Sequence, residues 1–149
     1  MDAIDRKILR VLQTDARASL QQIGQQVGLS TSPCWERIKK METAGVIEGY
    51  TVRLNAQALE LNDTVLVQVT LDSHSDNTLE KFGETLAAIP EVIEAYLVSG
   101  EYDYLLRVAV KDTRDYERLL REQLYKIKGI RHSKSSFVLR TLKKADLPI

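Results

Sequence analysis

This sequence of 149 residues has little cysteine, no excess of charge of either sign, and no long apolar run. Its single cysteine, Cys34, excludes an internal disulfide framework and suits a reducing compartment. Lys and Arg number 21, as do Asp and Glu, so no overall field favours nucleic acid or an acidic membrane. No apolar stretch is long enough to cross a bilayer, and no secretory signal pattern opens the sequence. We therefore expect a globular cytoplasmic protein with no membrane partner.

The sequence also lacks the motifs of catalysis. Its two histidines, His74 and His132, show no metal-ligand spacing, and neither a nucleophile elbow nor a phosphate-binding loop is present. Both histidines are explained more simply as ordinary surface residues. We therefore predict a protein that is not an enzyme and that holds no metal and no cofactor.

The first fifty residues have the periodicity of short helices. Asp2 can cap a first helix, whose apolar stripe consists of Ile4, Ile8, Val11 and Leu12. Ser19 and Gln22 form a capping box for a second helix, and "GLS" at positions 28–30 breaks the chain before a third. Two short helices joined by a tight turn, with a supporting first helix, predict a helix-turn-helix domain over residues 1–50.

The third predicted helix lies in the stretch "VGLSTSPCWERIKKMETAGVI" and has two different faces. Cys34, Ile38 and Met41 repeat at helical spacing and form an apolar stripe, which favours Cys34 as a small core residue over a redox switch. The opposite surface is polar and bears cations, and the preceding helix leaves it uncovered. We predict that it enters the DNA major groove and that the contacts to bases and phosphates come from Ser30, Thr31, Ser32, Trp35, Glu36, Arg37, Lys39 and Lys40.

The alternative for this helix is an ordinary surface helix with solvated charges, which the helix-turn-helix context disfavours. Ser30 or Ser32 is expected to cap the helix, and Trp35 is interpreted as a packing residue with an exposed edge. Arg37 is expected to face outward or to lie at the edge of the apolar stripe, so that its replacement leaves folding almost unaffected. Residues 1–50 carry seven Lys and Arg against six Asp and Glu. One copy should therefore bind DNA weakly, and function should need two or more copies on one DNA.

The rest of the sequence changes character. The β-branched run "VIEGYTVRLN" predicts a strand that leaves the first domain, and residues 51–62 are assigned to this linking strand and a hinge. Residues 63–149 then alternate strands and helices in the order βαββαβ. This order predicts a ferredoxin-like domain, an antiparallel sheet with both helices on one face, and an α+β fold class for the whole chain.

The uncovered face of that sheet would carry residues such as Leu66 and Leu105. We expect it to be too apolar for solvent and to pair with another copy of itself. RNA binding by the sheet is disfavoured, because its strands lack the aromatic residues that stack on bases.

The loop "VSGEYDYLL" offers groups for a small ligand. Gly100 permits a turn or the close approach of a ligand, and Asp103 stands beside an apolar strand, where a carboxylate can hold an ammonium group. The start of the helix near Asp112 and Thr113 can hold a carboxylate. Together these groups fit a free amino acid, but the spacing alone is more typical of a hairpin turn with a capping Asp.

Several stretches together resemble the Lrp/AsnC, or feast/famine, family of prokaryotic transcriptional regulators. They are "IDRKIL.VLQ.DAR.S", "VGLS.SPC..R.K..E.AGVI.GY", "LVSGEYDYLLRV" and "SSFVLRTLKKADLPI", and they extend over essentially the whole chain. The resemblance implies a winged helix-turn-helix domain, a linking strand, and a ferredoxin-like sensing domain that dimerises and often builds octamers. It also implies an amino-acid effector bound between sensing domains.

On the family pattern, the effector pocket would involve Leu97, Gly100, Asp103, Thr113, Ser136, Phe137 and Val138. Thr113 and Ser136 are smaller than the side chains that leucine-responsive relatives can carry there, which favours a bulky, aromatic or basic amino acid. The expected partners are therefore double-stranded DNA, further copies of this chain and a small amino acid. We expect a sequence-specific DNA-binding regulator, the alternative being a nucleoid-organising protein that wraps DNA with little sequence preference.

Overall fold

The computed structural model describes residues 1–73 and 75–149, without the side chains of Asp76 and Thr78. The chain forms two units: residues 1–54 together with 143–149, and residues 55–142. His74, predicted to be a surface residue, lies outside the described residues. Within the described part of the chain, no helix combines the length and the apolar character needed to cross a membrane.

The first unit contains three helices, α1 (Ala3–Thr14), α2 (Leu20–Val27) and α3 (Thr31–Thr43). Capping boxes begin two of them, from Asp2 at α1 and from Ser19 at α2. One apolar cluster holds the helices together, and its buried members are Ile8, Leu9, Ile23, Val27, Cys34, Ile38 and Met41. The predicted stripe of α3 is thus confirmed.

The turn between α2 and α3 depends on a close backbone approach at Gly24. A Cβ atom at this position would lie 2.4 Å from the carbonyl oxygen of Leu29. The backbone N–H groups of Gly28 and Leu29 both donate to the carbonyl of Gly24, so the turn folds tightly back onto α2. Only a residue without a side chain fits here.

The last seven residues pack in the first unit, although the sequence assigned them to the second domain. Arg10 Nε donates to the carbonyl of Ile149 at 2.8 Å, and Gln13 Nε2 donates to that of Leu147 at 3.1 Å. Ile149 also packs against the apolar cluster of the helices. These contacts with α1 explain the different boundary.

The predicted strand after α3 is absent from the part of the chain that the structure describes. Residues 44–62 contain turns, extended chain and one short 3-10 turn, Gln57–Leu59. Tyr50 holds the start of this segment, because its hydroxyl donates to Glu42 at 3.0 Å. A strand needs a neighbour to satisfy its backbone groups, and within the described chain this segment has none. Among the residues that the structure describes, the helix-turn-helix unit therefore has no wing.

The second unit confirms the predicted order βαββαβ. Its elements are β1 (Asp63–Leu71), α4 (Asp76–Ala87), β2 (Val92–Leu97), β3 (Tyr104–Val110), α5 (Thr113–Glu122) and β4 (Ile130–Phe137). The strands form one sheet in the order β2-β3-β1-β4, and all described pairs are antiparallel. The run "SKSSFVLRTLKK", positions 133–144, predicts the last strand, but the observed strand begins earlier and ends at Phe137.

One sheet face and both helices form a single core. Alternate residues of β1, from Val65 to Leu71, are buried against Phe82 and Leu86 of α4 and against Leu119 of α5. The alternation of burial along β1 is what the period of two predicts.

The opposite sheet face, here called the outer sheet face, is less apolar than expected. It does carry Leu66 and Leu105, but the register places Arg107 beside Leu66 and Glu94 beside Arg107. Arg107 and Glu94 form a two-bond ion pair, with Nε to Oε2 at 2.8 Å. This face is therefore amphipathic, because β2 and β3 contribute this ion pair to it beside the leucines.

Candidate DNA-reading surface and effector site

The outer surface of α3 is open to solvent, as its periodicity predicts. Seven of the eight residues predicted to contact DNA are exposed, namely Ser30, Thr31, Ser32, Trp35, Glu36, Lys39 and Lys40. We call these residues the reading face. Within the described residues, the only ion pair of its two lysines joins Lys39 Nζ to Glu42, and its length of 3.4 Å makes it a weak one. Both ammonium groups can therefore turn toward a phosphate.

Arg37, the eighth residue, does not belong to this surface. It is half-buried, and its Nη1 lies 2.7 Å from a carboxylate oxygen of Asp2 and 2.7 Å from one of Asp5. The guanidinium is thus engaged with the start of α1, whereas the sequence placed it outward or at the edge of the stripe, with no protein partner. The two carboxylates raise the pKa of Arg37 above its ordinary value. Replacement of Arg37 is no longer expected to be neutral for folding.

Cys34 and Trp35 are neighbours with opposite environments. Cys34 is fully buried, and burial raises the pKa of its thiol, as expected for a core residue rather than a reactive one. Trp35 is 54% exposed, more than the packing role that we favoured would require. Its indole is therefore a further apolar group on the reading face.

The start of α3 differs from the prediction that a serine caps it. Ser30 occupies the N-cap position, but no side chain in the described residues makes a capping hydrogen bond there. The N–H groups of the first turn stand among exposed hydroxyl groups of Ser30, Thr31 and Ser32. A helix start of this kind favours an anion.

The residues assigned to the effector fall into two groups at opposite ends of the sheet. The turn group, Leu97, Gly100 and Asp103, lies where β2 turns into β3. Gly100 has a φ of 130°, a conformation that glycine adopts without strain, and Leu97 is 61% exposed. Asp103 is half-buried; its N–H donates to Val69, and its Oδ2 accepts from the N–H of Leu71 at 2.7 Å. The carboxylate therefore also holds the end of β1.

The second group, here called the terminal group, consists of Thr113, Ser136, Phe137 and Val138. Thr113 begins α5 beside its N-cap Asp112. Ser136 lies on the outer sheet face opposite Leu66, whereas Phe137 points to the helices and meets the ring of Tyr116 edge to face at 5.4 Å. The N–H of Val138 donates to the carbonyl of Thr64.

A single chain keeps these two groups apart. Asp103 bonds to Val69 and Val138 bonds to Thr64, and five residues of β1 separate these contacts by about 16 Å. One free amino acid does not bridge that distance. Among the residues that the structure describes, no cluster of His, Cys, Asp or Glu is arranged to hold a metal ion.

Sequence reasoning missed two contributions to the first unit. Asp5 was not recognised as a partner of Arg37, although its place three residues after the N-cap Asp2 is the capping-box position. Gly24 was not recognised as a close-approach site, although a glycine inside a helical pattern is the usual signal of one.

A helix-turn-helix unit joined to a four-stranded α+β unit defines the class of two-domain DNA-binding regulators. Residues 1–42 match the family model of the AsnC-type helix-turn-helix domain, and residues 64–148 match that of the Lrp/AsnC ligand binding domain. The chain belongs to the Lrp/AsnC family. It is therefore a transcriptional regulator rather than an enzyme, and both the family resemblance and the predicted fold class are confirmed.

Known proteins resemble this chain over almost its whole length. The leucine-responsive regulatory proteins of Escherichia coli K12 and Klebsiella pneumoniae are 37% identical over 146 residues, which is 98% of this chain and 89% of theirs. The crystal structure of an AsnC family transcriptional regulator from Agrobacterium tumefaciens is 42% identical with a TM-score of 0.94, covering 99% of this chain and 97% of that one. A transcriptional regulator from Neisseria meningitidis in complex with L-methionine is 32% identical with a TM-score of 0.93, covering 99% and 96%.

Proposed function

We propose that this protein is a homo-oligomeric, cytoplasmic regulator that recognises specific DNA sequences with α3. A small effector, an amino acid, modulates its DNA binding or its assembly. The observation that carries the proposal is the reading face: two exposed lysines, hydroxyl groups and an exposed indole on a helix supported from behind by α1 and α2.

The charge of the first unit supports binding by several copies. The cations of its first fifty residues exceed the anions by one, so the phosphate contacts of one copy give little affinity. Linking copies through the second unit makes each further contact intramolecular and multiplies the affinity. Assembly and DNA recognition are therefore coupled in this proposal.

Selection of binding sites from a random-sequence DNA pool tests the DNA-binding part. We expect the parent to enrich a motif, and Lys39→Ala to bind it more weakly with a salt slope lower by about one unit, the signature of one lost phosphate contact. Lys81→Ala is the matched control, because it removes the same charge from an exposed position of α4 in the other unit. Equal loss in both variants would contradict the assignment of Lys39.

Footprinting on the enriched DNA separates this proposal from DNA wrapping. Discrete half-sites, spaced by whole turns of the double helix, are expected of a sequence-specific oligomer. Uniform protection without a preferred site would instead support the nucleoid-organising alternative.

The effector part rests on the relatives and on the two groups of residues. Two relatives, from Neisseria meningitidis and Mycobacterium tuberculosis, are seen in complex with L-methionine and are 32% and 31% identical to this chain. In our proposal the turn group of one copy and the terminal group of another enclose the ligand, because one chain separates them. Asp103 pairs with the ammonium group, and main-chain N–H groups near Gly100 or Thr113 bind the carboxylate.

Asp103→Asn tests the ammonium contact while keeping the contact with β1. The amide oxygen still accepts from Leu71 N–H, so the strand end is retained and only the charge is lost. A thermal-shift screen of the natural amino acids first identifies the effector; the small side chains of Thr113 and Ser136 favour a bulky, aromatic or basic one. Loss of a buried charge contact, about 2–5 kcal/mol, should abolish a micromolar response.

Glu101→Gln is the control for this experiment, since it removes one negative charge from an exposed position in the same loop. We expect it to bind the effector like the parent in isothermal titration, and both variants to retain DNA binding. Unchanged effector affinity in Asp103→Asn would disprove the assignment of Asp103.

A further inference from the structure

We infer that Arg37 positions the recognition helix for DNA rather than contacting DNA itself. The inference rests on the proposed DNA binding and refines the role of one residue within it. We call Arg37, Asp2 and Asp5 the Arg37 clamp.

The capping hydrogen bonds of α1 hold the two carboxylates of the clamp in place independently of Arg37. Oδ1 of Asp2 accepts from the N–H groups of Ile4 and Asp5, and Oδ2 of Asp5 accepts from the N–H of Asp2. Each carboxylate thus uses one oxygen in the capping box of α1. Its other oxygen receives Nη1 of Arg37, at 2.7 Å in both cases. The helix cap therefore serves as a preformed receptor for the guanidinium.

Preformation makes this ion pair more effective than an ordinary surface pair. A surface pair contributes little because two flexible side chains must be ordered together, but here the capping hydrogen bonds already order both acids. The carboxylate oxygen of Asp5 is also well shielded, with its side chain 13% exposed. The contact is short and directional, so it fixes how α3 is rotated about its own axis against α1.

Apolar contacts alone specify the rotation of α3 about its own axis less sharply than a directional contact does. The side chains of Cys34, Ile38 and Met41 pack in one apolar cluster with residues of α1 and α2, and apolar contacts are not directional. Each degree of rotation moves every residue of the reading face relative to the groove. A directional contact at the edge of the stripe therefore controls which side chains meet the bases.

The charges around the clamp make the two roles of Arg37 separable. The clamp lies in a surface depression that Glu36 and Lys40 of the reading face also border. Its other lining residues are Met1, Asp2, Asp5, Pro33 and Arg37. Two carboxylates outweigh the single guanidinium, so the clamp carries net negative charge near the reading face. Neutralising the acids should strengthen DNA binding by electrostatics alone. A positioning role requires the opposite sign.

The experiment compares Arg37→Ala, Asp5→Asn and the double variant in the full-length protein, on the DNA motif enriched by the parent. Asn at position 5 keeps a capping oxygen, so α1 retains its start. We expect Asp5→Asn to weaken DNA binding, and Arg37→Ala to weaken it by roughly tenfold with an unchanged salt slope. The two losses should not add in the double variant, because both remove the same contact.

Other outcomes would overturn the inference. A salt slope reduced by about one unit in Arg37→Ala, as expected for Lys39→Ala, would make Arg37 a phosphate contact. Tighter DNA binding by Asp5→Asn would show that the acids act only through their charge. Circular dichroism at the binding temperature shows whether Arg37→Ala has unfolded. If it has, Asp5→Asn, which keeps the cap of α1, decides the question alone. If the parent enriches no DNA motif, the proposed function fails and the inference fails with it.

Discussion

At the scale of single residues, Gly24 is the glycine of the first unit that leaves no room for a side chain. We expect Gly24→Ala to destabilise this unit, because the new Cβ would stand 2.4 Å from the backbone oxygen of Leu29. Alanine is favoured over glycine in a helix by roughly 0.5–1 kcal/mol, but overpacking against backbone costs about 1–3 kcal/mol. The steric cost therefore exceeds the helical gain.

Denaturant unfolding followed by tryptophan fluorescence measures this effect in the right unit, because Trp35 is the only tryptophan. Gly49→Ala is the control: a Cβ there meets nothing within 4 Å, so the change should stay within about 0.5 kcal/mol. Equal midpoints for Gly24→Ala and the parent would show that the turn adapts at no cost.

Residue periodicity predicted burial well and partners poorly. The stripe of Cys34, Ile38 and Met41 follows from helical spacing alone, and all three are buried. Arg37 lies at the edge of that stripe, where spacing does not decide between solvent and protein. Its partners come from a helix more than thirty residues earlier, and no local pattern contains that information.

At the scale of elements, the start of α1 should make the stability of the first unit depend on acidity. The N–H of Asp5 and the guanidinium of Arg37 lower the pKa of Asp2 from 3.8 to about 2, and the pKa of Asp5 is lowered as well. A group whose pKa is lower in the folded state stabilises that state above its unfolded pKa. This stabilisation should therefore be complete above about pH 4 and be lost as the pH falls toward 2.

Comparison of the parent with Asp2→Asn isolates that contribution. The difference in their melting temperatures, followed by Trp35 fluorescence, should be largest near pH 6 and shrink between pH 4 and 2. The pKa of Asp115 at the start of α5 is also lowered, but its titration is common to both proteins and cancels. A difference that stays constant down to pH 2 would contradict the role of the Asp2 carboxylate.

Elements with their own periodicity were predicted, and those that depend on neighbours were not. The three helices of the first unit and the order βαββαβ of the second are found as predicted. The exceptions are the run from Val46 to Asn55, which has strand-like residues but no pairing partner in the described chain, and the last strand, whose bounds shift to Ile130–Phe137. Strand residues report a fit to a sheet surface, whereas strand formation requires an adjacent strand.

At the scale of the whole molecule, one copy does not bring the turn group and the terminal group close enough to enclose one ligand. The sequence placed Leu97, Gly100 and Asp103 together, and the turn between β2 and β3 keeps them together. It did not reveal that the terminal group lies at the other end of β1, because distance along a sheet follows from strand register. In the proposed function, sensing and assembly are therefore linked, because a site built from two copies forms only where copies meet.

The outer sheet face is the surface that we assign to that meeting. It joins the apolar residues Leu66 and Leu105 to the ion pair of Arg107 with Glu94. Such a mixture suits an interface better than free solvent, since apolar area supplies affinity and charges fix the orientation of the partner.

Leu66→Lys should therefore dissociate the assembly without unfolding the chain. Leu66 is 36% exposed, so the lysine can remain in solvent in a single copy, but in an interface it would add a cation beside Arg107. Sedimentation velocity should show smaller species than the parent, with unchanged circular dichroism. Ala87→Lys places the same group on the exposed side of α4, across the unit from this face, and should sediment like the parent. Added positive charge favours DNA binding, so weaker DNA binding by Leu66→Lys would come from lost multivalency. Sedimentation equal to that of the parent would exclude this face as the interface.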